Sequence, residues 1–449
     1  MLIRRAEINF SAIVDIRVAD GIVVEIGQQL VPQTDEAIID ARSRALIPGL
    51  HDHHIHFLAS AAARESLFCG PPQIADENAL RQALQQHAAN LPSGKWLRGI
   101  GYHASVAGDI DRHWIDRVVA DVPVRIQHRS GRLWILNSCA LEQLGDLDES
   151  PLEKINGAYS GRLYDADVWL RERIGRQLPD IAAASLQLTR YGVTGFTDTS
   201  VSNTAESFTQ FAQWQANGEL SQHVVMMGDS TLVDWVNSSR LQRGALKMHL
   251  HENDLPEFEA MCAAIAASHT AARPVAVHCV TLVELVFTLN AFAETGTIAG
   301  DRIEHAAIAP PEMLEQLSAL KLIVVTQSNF IAERGDAYLR DVDPQDQPWL
   351  YRLRGFLKAG IALAGGTDAP FGDWNPWAAM QAAVTRRTAS GAAIGIDEAL
   401  TPEQALELFL GDPLLPGAGK NRIEVGMPAT LCLLDRSWQQ ARHDLARVA

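Results

Sequence analysis

From about residue 180 onward, apolar strand-like runs alternate with helical segments along the chain. Each of these runs ends at a polar side chain, near Asp198, Asp229, His251, His278, His305, Gln327 and Asp368. With a further apolar strand at residues 46–56, the number of such strands is eight. Strands that alternate with helices form parallel βαβ units, and eight units close into a barrel. The alternation therefore predicts an α/β fold, a (β/α)8 barrel of the TIM type.

Both ends of the chain contain short strands. Residues 1–49 and 415–449 show turns followed by β-branched runs and no helical period. The two ends could therefore pair as one small β layer. The barrel itself is then expected to comprise residues 50–57 and 181–414.

The segment between the first barrel strand and the rest of the barrel has a mixed pattern. Residues Glu77–Ala89 show helical spacing, and Ser130-Gly131 lies between two strand-like runs as in a hairpin. A segment of this length is too long for a simple loop. We predict that residues 58–180 form an inserted lobe, which caps the substrate because loops at a barrel mouth carry specificity.

The composition limits the partners and the compartment. The chain has 38 basic and 54 acidic residues, a net charge of −16, which disfavours nucleic acid and anionic membranes. The five cysteines are scattered and form no CxxC pair, as is typical of reduced cytosolic thiols. The segment MLIRRAEINF has no apolar run typical of a signal peptide, and no run of about 20 apolar residues could cross a membrane. We expect a cytoplasmic protein.

The first barrel strand ends in four histidines within six residues, from His51 to His56. Side chains alternate along a strand, so His54 and His56 share one face with Asp52. Two imidazoles on one face can bind one metal ion. The same run could also be a loosely structured metal-binding tract or contain ordinary core histidines. His51 and His53 are expected to be structural, because only alternate residues share the ligand face.

Later strand ends carry further ligand-type side chains, namely Lys247, His249, His251, His278, His305 and Asp368. Taken singly, each has an ordinary explanation: a buried histidine is often structural, an aspartate can cap a helix, and a lysine can extend to solvent. In a barrel, however, the strand ends converge on one mouth, so these side chains would converge too. Gly365 and Gly366 precede Asp368 and would allow backbone or ligand to approach closely.

This order of residues resembles the amidohydrolase superfamily over nearly the whole chain. The most specific motifs are His54-Ile55-His56 after the first strand and the segment Gly366–Pro370 (Gly-Thr-Asp-Ala-Pro). Supporting stretches, which point to the amidohydrolase-3 group, are Gly94–Tyr102, Leu136–Leu141, Tyr191–Gly195 and Ala383–Arg387. The resemblance implies a barrel flanked by a β-sandwich that is built from both termini.

The resemblance also implies a metal centre. Its expected ligands are His54, His56, Lys247, His278, His305 and Asp368. Lys247 occupies the position at which binuclear relatives carry a carboxylated lysine, whose two anionic oxygens can bridge two ions. The lysine therefore favours two divalent ions over one. Zinc is the expected metal, although a nitrogen–oxygen site also accepts manganese, iron or nickel.

The chain departs from the group's pattern at two places that are expected to face the substrate, so the resemblance does not specify which substrate it binds. The chain has Met248–Glu252 where the group has an acidic, glycine-containing stretch, and Ser130–Arg132 where it often has a histidine. His249 could contact the substrate, serve as an extra metal ligand, or position a metal ligand without contacting the metal itself. Arg132 could bind a substrate carboxylate bidentately or be an ordinary surface arginine. Tyr102 is a third candidate for substrate binding.

Arg386 and Arg387 are predicted to lie on a helix surface. The expected activity is metal-dependent hydrolysis of an amide or other C–N bond in a small molecule, with Asp368 as general base and then general acid. A deaminase of heterocyclic bases or an ester or phosphoester hydrolase would use the same centre. A non-catalytic binding protein that retains the fold is an alternative of a different class. A homodimer is the default assembly.

Overall fold

The computed structural model describes residues 1–71, 73–175, 178–232, 237–419 and 422–448, apart from the side chain of Val168. The chain divides into two units. The first comprises residues 1–57 and 181–449, and the second comprises residues 58–180.

The first unit begins with a four-stranded sheet. Its strands are β1 (Leu2–Ile8), β2 (Ala12–Ala19), β3 (Ile22–Gly27) and β4 (Ile38–Asp40). The order is β3-β2-β1-β4, with β4 parallel to β1 and the other pairs antiparallel. Next come β5 (Leu46–Pro48) and the first barrel strand, β6 (Leu50–Ile55).

The second unit is built on a six-stranded sheet in the order β11-β12-β10-β9-β8-β7. These strands are β7 (Leu67–Phe68), β8 (Leu97–Tyr102), β9 (Val124–His128), β10 (Leu133–Leu136), β11 (Leu152–Ile155) and β12 (Ala158–Tyr164). The helices of this part of the chain are α1 (Phe57–Arg64), α2 (Glu77–Ala89), α3 (Ala104–Ala107), α4 (Arg112–Asp116), α5 (Ser138–Gln143) and α6 (Asp167–Ile174). The hairpin predicted around Ser130-Gly131 is confirmed, because β9 and β10 pair in antiparallel fashion. The helix predicted at Glu77–Ala89 is also confirmed, and Asp76 caps it by accepting from the Ala79 amide.

The barrel contains eight parallel strands, as the alternation predicts. After β6 they are β13 (Val193–Asp198), β14 (His223–Gly228), β15 (Leu241–His249), β16 (Val275–Cys279), β17 (Arg302–His305), β18 (Ile323–Thr326) and β19 (Leu363–Gly365). Each pairs with its neighbour in chain order from β6 through β19. The last and first strand ends are joined by a hydrogen bond from the Asp368 amide to the His54 carbonyl, at 2.7 Å. The strand ends therefore meet at one mouth.

Helices follow the barrel strands. They are α7 (Ile181–Arg190), α8 (Ala205–Ala216), α9 (Phe258–Thr270), α10 (Leu282–Thr295), α11 (Pro311–Ala319), α12 (Asn329–Asp341), α13 (Arg354–Lys358), α14 (Pro376–Thr385), α15 (Pro402–Glu407) and α16 (Trp438–Ala441). Short 3₁₀ turns lie at Gln347–Trp349, Ile396–Glu398 and Leu445–Arg447. The sequence of α10 explains why a helix forms there. Thr281 and Glu284 form a capping box at its N-terminus, and Leu285, Leu289 and Phe292 form one buried stripe along it. Among the described helices, none has the length and apolar character needed to span a bilayer.

The two ends of the chain meet in the first unit. The short strand β20 (Leu431–Leu433) pairs in antiparallel fashion with β5, and Pro428 bridges to Ile22 of β3. Ile423 packs into the same apolar cluster as the side chains of β1 and β2. The two ends of the chain therefore pair with each other, in a two-stranded sheet that is separate from the four-stranded sheet.

The prediction for Arg386 is wrong. Its side chain is fully buried, whereas Arg387 is exposed but lies beyond the end of α14, where it forms a bridge with Ala393. Arg386 ends α14 in a left-handed conformation, with φ of 51°. Its guanidinium then donates to the carbonyls of Ile394, Tyr351 and Leu350, so the charge is satisfied inside the protein. Burial lowers the pKa of Arg386 to about 10.

Candidate metal centre

Two histidine rings at the end of β6 direct their Nε2 atoms toward the same carboxylate oxygen. His54 is 1% exposed, and its Nδ1 lies 2.5 Å from Glu304 Oε2. His56 follows the strand, and its Nδ1 lies 3.1 Å from Ser200 Oγ. The Nε2 atoms of the two rings lie 3.4 Å and 3.3 Å from the same oxygen, Asp368 Oδ1.

Asp368 reaches this position through a tightly determined turn after β19. Its backbone is left-handed, with φ of 54°, a conformation that costs a non-glycine residue of order 1–3 kcal/mol. Asp52 holds the turn, because its carboxylate accepts from the Thr367 amide at 3.0 Å and the Thr367 hydroxyl at 2.6 Å. A Cβ on Gly366 would lie 2.4 Å from His54 Cβ, so the close approach predicted for this glycine is confirmed.

The donor set fits a divalent cation. Ligand atoms of His54, His56 and Asp368 all lie within 4.8 Å of one another. Asp368 Oδ1 is buried and accepts no hydrogen bond from the described residues. Because His54 directs Nδ1 to Glu304, a neutral ring would turn the lone pair of Nε2 toward that oxygen. Two lone pairs at this distance repel unless a cation or proton stands between them, and two nitrogens with one carboxylate oxygen are typical ligands of zinc, iron, nickel and manganese.

The electrostatics of the cluster keep Asp368 anionic. Burial opposes its ionisation, but His54, His56 and His305 outweigh burial and hold the Asp368 pKa well below its usual value. Burial likewise opposes a charge on His54, but Glu304 and Asp368 outweigh it and raise the pKa of His54. A divalent cation would displace the His54 proton, because metal ligands are an ionised carboxylate and neutral imidazoles.

The structure brings His305 and His278 to the same mouth. His305 ends β17 in a left-handed conformation with φ of 71°, its Nδ1 is 2.6 Å from Gln327 Oε1, and it is 3.9 Å from Asp368 Oδ2. The His305 ring centroid lies 4.8 Å from that of His54 and 4.5 Å from that of His278. Burial lowers the pKa of His305 to about 3 and also lowers the pKa of His278, so both rings are neutral, as metal ligands are.

Lys247 lies on β15 and is 5% exposed. Its Nζ is buried and has no hydrogen-bond partner among the described residues. Burial lowers the pKa of Lys247, whereas Glu304 and Asp368 act in the opposite direction. A buried ammonium without an acceptor is costly, so the site favours a neutral amine or a modified one.

Glu304 is a site residue that the sequence analysis did not identify. It is fully buried and lies between His54 Nδ1 and Arg302 Nε, the latter at 2.6 Å. Burial opposes its ionisation, but Arg302 and Lys247 hold the Glu304 pKa well below its usual value. A carboxylate that accepts a hydrogen bond from Nδ1 fixes the orientation of the imidazole ring and makes Nε2 a stronger metal ligand. The signal in the sequence was two alternate charged residues, Arg302 and Glu304, within a short buried strand.

The other histidines are placed around this cluster. His51 is buried and its Nε2 lies 3.0 Å from Thr197 Oγ1, and His53 is fully buried. His249 is exposed and its ring centroid lies 4.2 Å from that of His278 and 4.6 Å from that of His251. One part of the His249 ring is exposed, but its packing against these two rings removes water from the rest, and this desolvation lowers the His249 pKa to about 4.

Two candidate substrate contacts belong to the inserted unit and have partners within it. Arg132 donates to both carboxylate oxygens of Asp165, at 2.8 Å and 2.7 Å, and its side chain is 75% exposed. Tyr102 is buried and its hydroxyl donates to the Gly108 carbonyl at 2.7 Å. A role of either residue in substrate binding stays a prediction.

Comparisons with known proteins connect this chain to named relatives. The sequence model of the amidohydrolase family matches residues 37–448. An N-substituted formamide deformylase of Arthrobacter pascens is 25% identical, over 90% of this chain and 85% of the relative.

Solved structures share the fold. A metal-dependent hydrolase of Pyrococcus horikoshii, described as uncharacterized, superposes with a TM-score of 0.78 at 19% identity, over 97% of both chains. A mutant of atrazine chlorohydrolase from Arthrobacter aurescens, complexed with zinc and atraton, gives a TM-score of 0.53 at 12% identity, over 95% of this chain and 85% of that chain. At these identities the likeness concerns the fold alone.

Proposed function

The chain belongs to the amidohydrolase family, and from that premise we propose that it is a metal-dependent hydrolase that cleaves an amide or other C–N bond of a small molecule. The observation that carries the proposal is the cluster of His54, His56 and Asp368, whose ligand atoms lie within 4.8 Å of one another. The similarity to an enzyme named for N-substituted formamides supports the C–N bond, because such compounds contain an amide.

The ligands proposed for the metal are His54, His56, Lys247, His278, His305 and Asp368. Zinc is the proposed metal, and the structural relative that was complexed with zinc supports this choice. Two ions are proposed because Lys247 is buried beside Glu304 and Asp368 with no acceptor among the described residues. Reaction of its neutral amine with CO₂ would form an N–C bond and release one amine proton, and the resulting carbamate would be an anionic group with two oxygens that could hold two ions.

The chemistry assigned to the chain's own residues centres on Asp368. A bound divalent cation would supply positive charge that acidifies water and polarises a carbonyl. Asp368 is ionised at neutral pH, so its carboxylate could accept a proton from the attacking water, whose acidity a bound cation would increase. The same carboxyl group then gives this proton to the leaving nitrogen. Glu304 holds the His54 ring in place, and Asp52 holds the turn that presents Asp368.

The test is a substrate panel with a matched variant. Zinc-reconstituted protein is assayed against N-substituted formamides, other amides, heterocyclic amines and carboxyl esters. We expect turnover of at least one amide and a loss of at least about 100-fold for Asp368→Asn, because general acid–base catalysis contributes this much. Metal analysis of the variant separates a catalytic loss from a loss of metal. Ammonia release from heterocyclic amines alone would replace the proposal with a deaminase, and full activity of Asp368→Asn would refute the role of Asp368.

A further inference from the structure

The inserted unit contains a cavity of about 820 Å³, and the described residues that line it all lie between 62 and 179. Arg98 of β8, Arg125 of β9 and Trp134 of β10 lie on one face of the six-stranded sheet and line this cavity. Arg98 and Arg125 are register partners in the parallel β8–β9 ladder, so their strands are about 4.8 Å apart. The volume is that of a pocket for a small organic ligand.

The two arginines are half-buried, and their guanidinium groups have few partners. Arg125 has a buried Nε without a hydrogen bond, and Arg98 donates to the Ser66 hydroxyl at 3.2 Å. Neither forms an ion pair with a carboxylate in the described part of the chain. Their Cζ atoms lie 5.8 Å (Arg98) and 5.3 Å (Arg125) from the centroid of Trp134. Asp167 also lines the cavity, and its charge acts on both guanidinium groups by raising their pKa values, but its carboxylate forms an ion pair with neither and accepts a hydrogen bond from Trp134 Nε1 at 2.7 Å.

This arrangement is unfavourable in the free protein. Like charges directly opposite on neighbouring strands destabilise a sheet, and burial lowers the pKa of Arg125 to about 10, with Arg98 acting in the same direction. Stacking on an aromatic ring returns only about 0.5–2 kcal/mol. Other arginines of the same unit have carboxylate partners, for example Arg81 with Glu77. A chain with 54 acidic residues could have paired these two arginines as well.

We propose that this cavity binds a small dianion, a phosphate monoester or a dicarboxylate, with Arg98 and Arg125 as its charged donors. Adjacent guanidinium groups present planar sets of donors that match the oxygens of phosphate and carboxylate groups. Asp167 offsets part of the positive charge from a distance, and a dianion in direct contact with both guanidinium groups would remove the remaining repulsion between them. Trp134 holds both side chains in place through its ring. None of these residues belongs to the candidate metal centre, so the inference does not depend on the proposed hydrolase activity.

The test is calorimetric titration of the full-length chain with inorganic phosphate and with malonate at constant ionic strength. Titrations of metal-loaded and chelator-treated protein separate this site from the metal centre. We expect one saturable site per chain in both preparations. Preference for phosphate identifies a phosphate monoester as the ligand class, and preference for malonate identifies a dicarboxylate.

Variants locate the binding. Arg125→Gln should weaken binding by about tenfold or more, because hydrogen bonds to charged groups contribute about 1.5–3 kcal/mol. Arg81→Gln is the matched control, since Arg81 lies 5.0 Å from the Trp114 centroid but is paired with Glu77, and binding should be unchanged. Thermal melting shows whether each variant is folded. If the glutamine variant does not fold, Arg125→Lys replaces it in the test. This variant keeps the charge and should bind more weakly than wild type. Absence of saturable binding to the folded wild type, or equal affinity in wild type and Arg125→Gln, would overturn the proposal.

Discussion

A single methyl group at Gly366 should disable the metal centre. The Cβ of an alanine at this position would lie 2.4 Å from His54 Cβ, 2.6 Å from His54 N and 2.9 Å from His54 Cα. Carbon atoms pack at about 3.5–4.0 Å, so the two backbones must separate by about 1 Å. The backbone hydrogen bonds from Gly366 to Thr326 and from Asp368 to His54 resist this movement. A shift of about 1 Å in a reacting group costs about 100-fold in rate, and overpacking costs about 1–3 kcal/mol of stability.

The assay for Gly366→Ala measures metal per chain, the hydrolysis rate and the thermal midpoint. Gly365→Ala is the matched control, because its Cβ would meet the ring of Phe409 at 3.0 Å, a side chain that can move. We expect less metal and about 100-fold slower hydrolysis for Gly366→Ala, with a much smaller effect for Gly365→Ala. Normal metal content and rate in Gly366→Ala would show that the contact between β19 and β6 does not position the site.

Three further predictions concern buried charges. Glu304→Gln should weaken metal binding by about 10–100-fold in chelator competition, because His54 loses its charged acceptor; unchanged affinity would contradict this. Burial raises the pKa of Asp52 from 3.8 to about 6, so the native state binds its proton more tightly and about 3 kcal/mol of stability should be lost as pH rises from about 4 to 6. Urea unfolding of the metal-free protein should show a smaller loss of unfolding free energy over this pH range for Asp52→Asn than for wild type. An equal change of unfolding free energy with pH in both proteins would refute the assignment. Arg386→Met leaves three buried carbonyls without a donor and should cost several kcal/mol, about 1–3 for each, in urea unfolding; an unchanged midpoint would exclude that role.

The sequence was sufficient to predict the barrel, because its evidence is local. Each strand is a short apolar run that ends in a polar residue, and the period of two along β6 and β15 assigns side chains to faces. Convergence at one mouth then follows from the topology of parallel strands. The close approach at Gly366 was predictable for the same reason, since only glycine permits it.

The supports of the site depend on contacts between residues that are distant in the sequence. Glu304 lies 250 residues from His54, and Thr367 lies 315 residues from Asp52. No local pattern specifies which buried carboxylate faces which ring. Arg386 was misplaced because helical spacing cannot show that a left-handed cap turns its side chain inward.

The most direct test of the central claim is elemental analysis of metal per chain, on protein purified without chelator. The account predicts about two equivalents in wild type, less than one when His54→Ala and His56→Ala are combined, and one or none for Lys247→Ala. Circular dichroism of each variant confirms that the loss concerns the metal and not the fold. A folded wild-type protein that holds no metal after reconstitution with zinc and bicarbonate, or a double histidine variant that holds as much as wild type, would contradict the metal centre built on His54, His56 and Asp368.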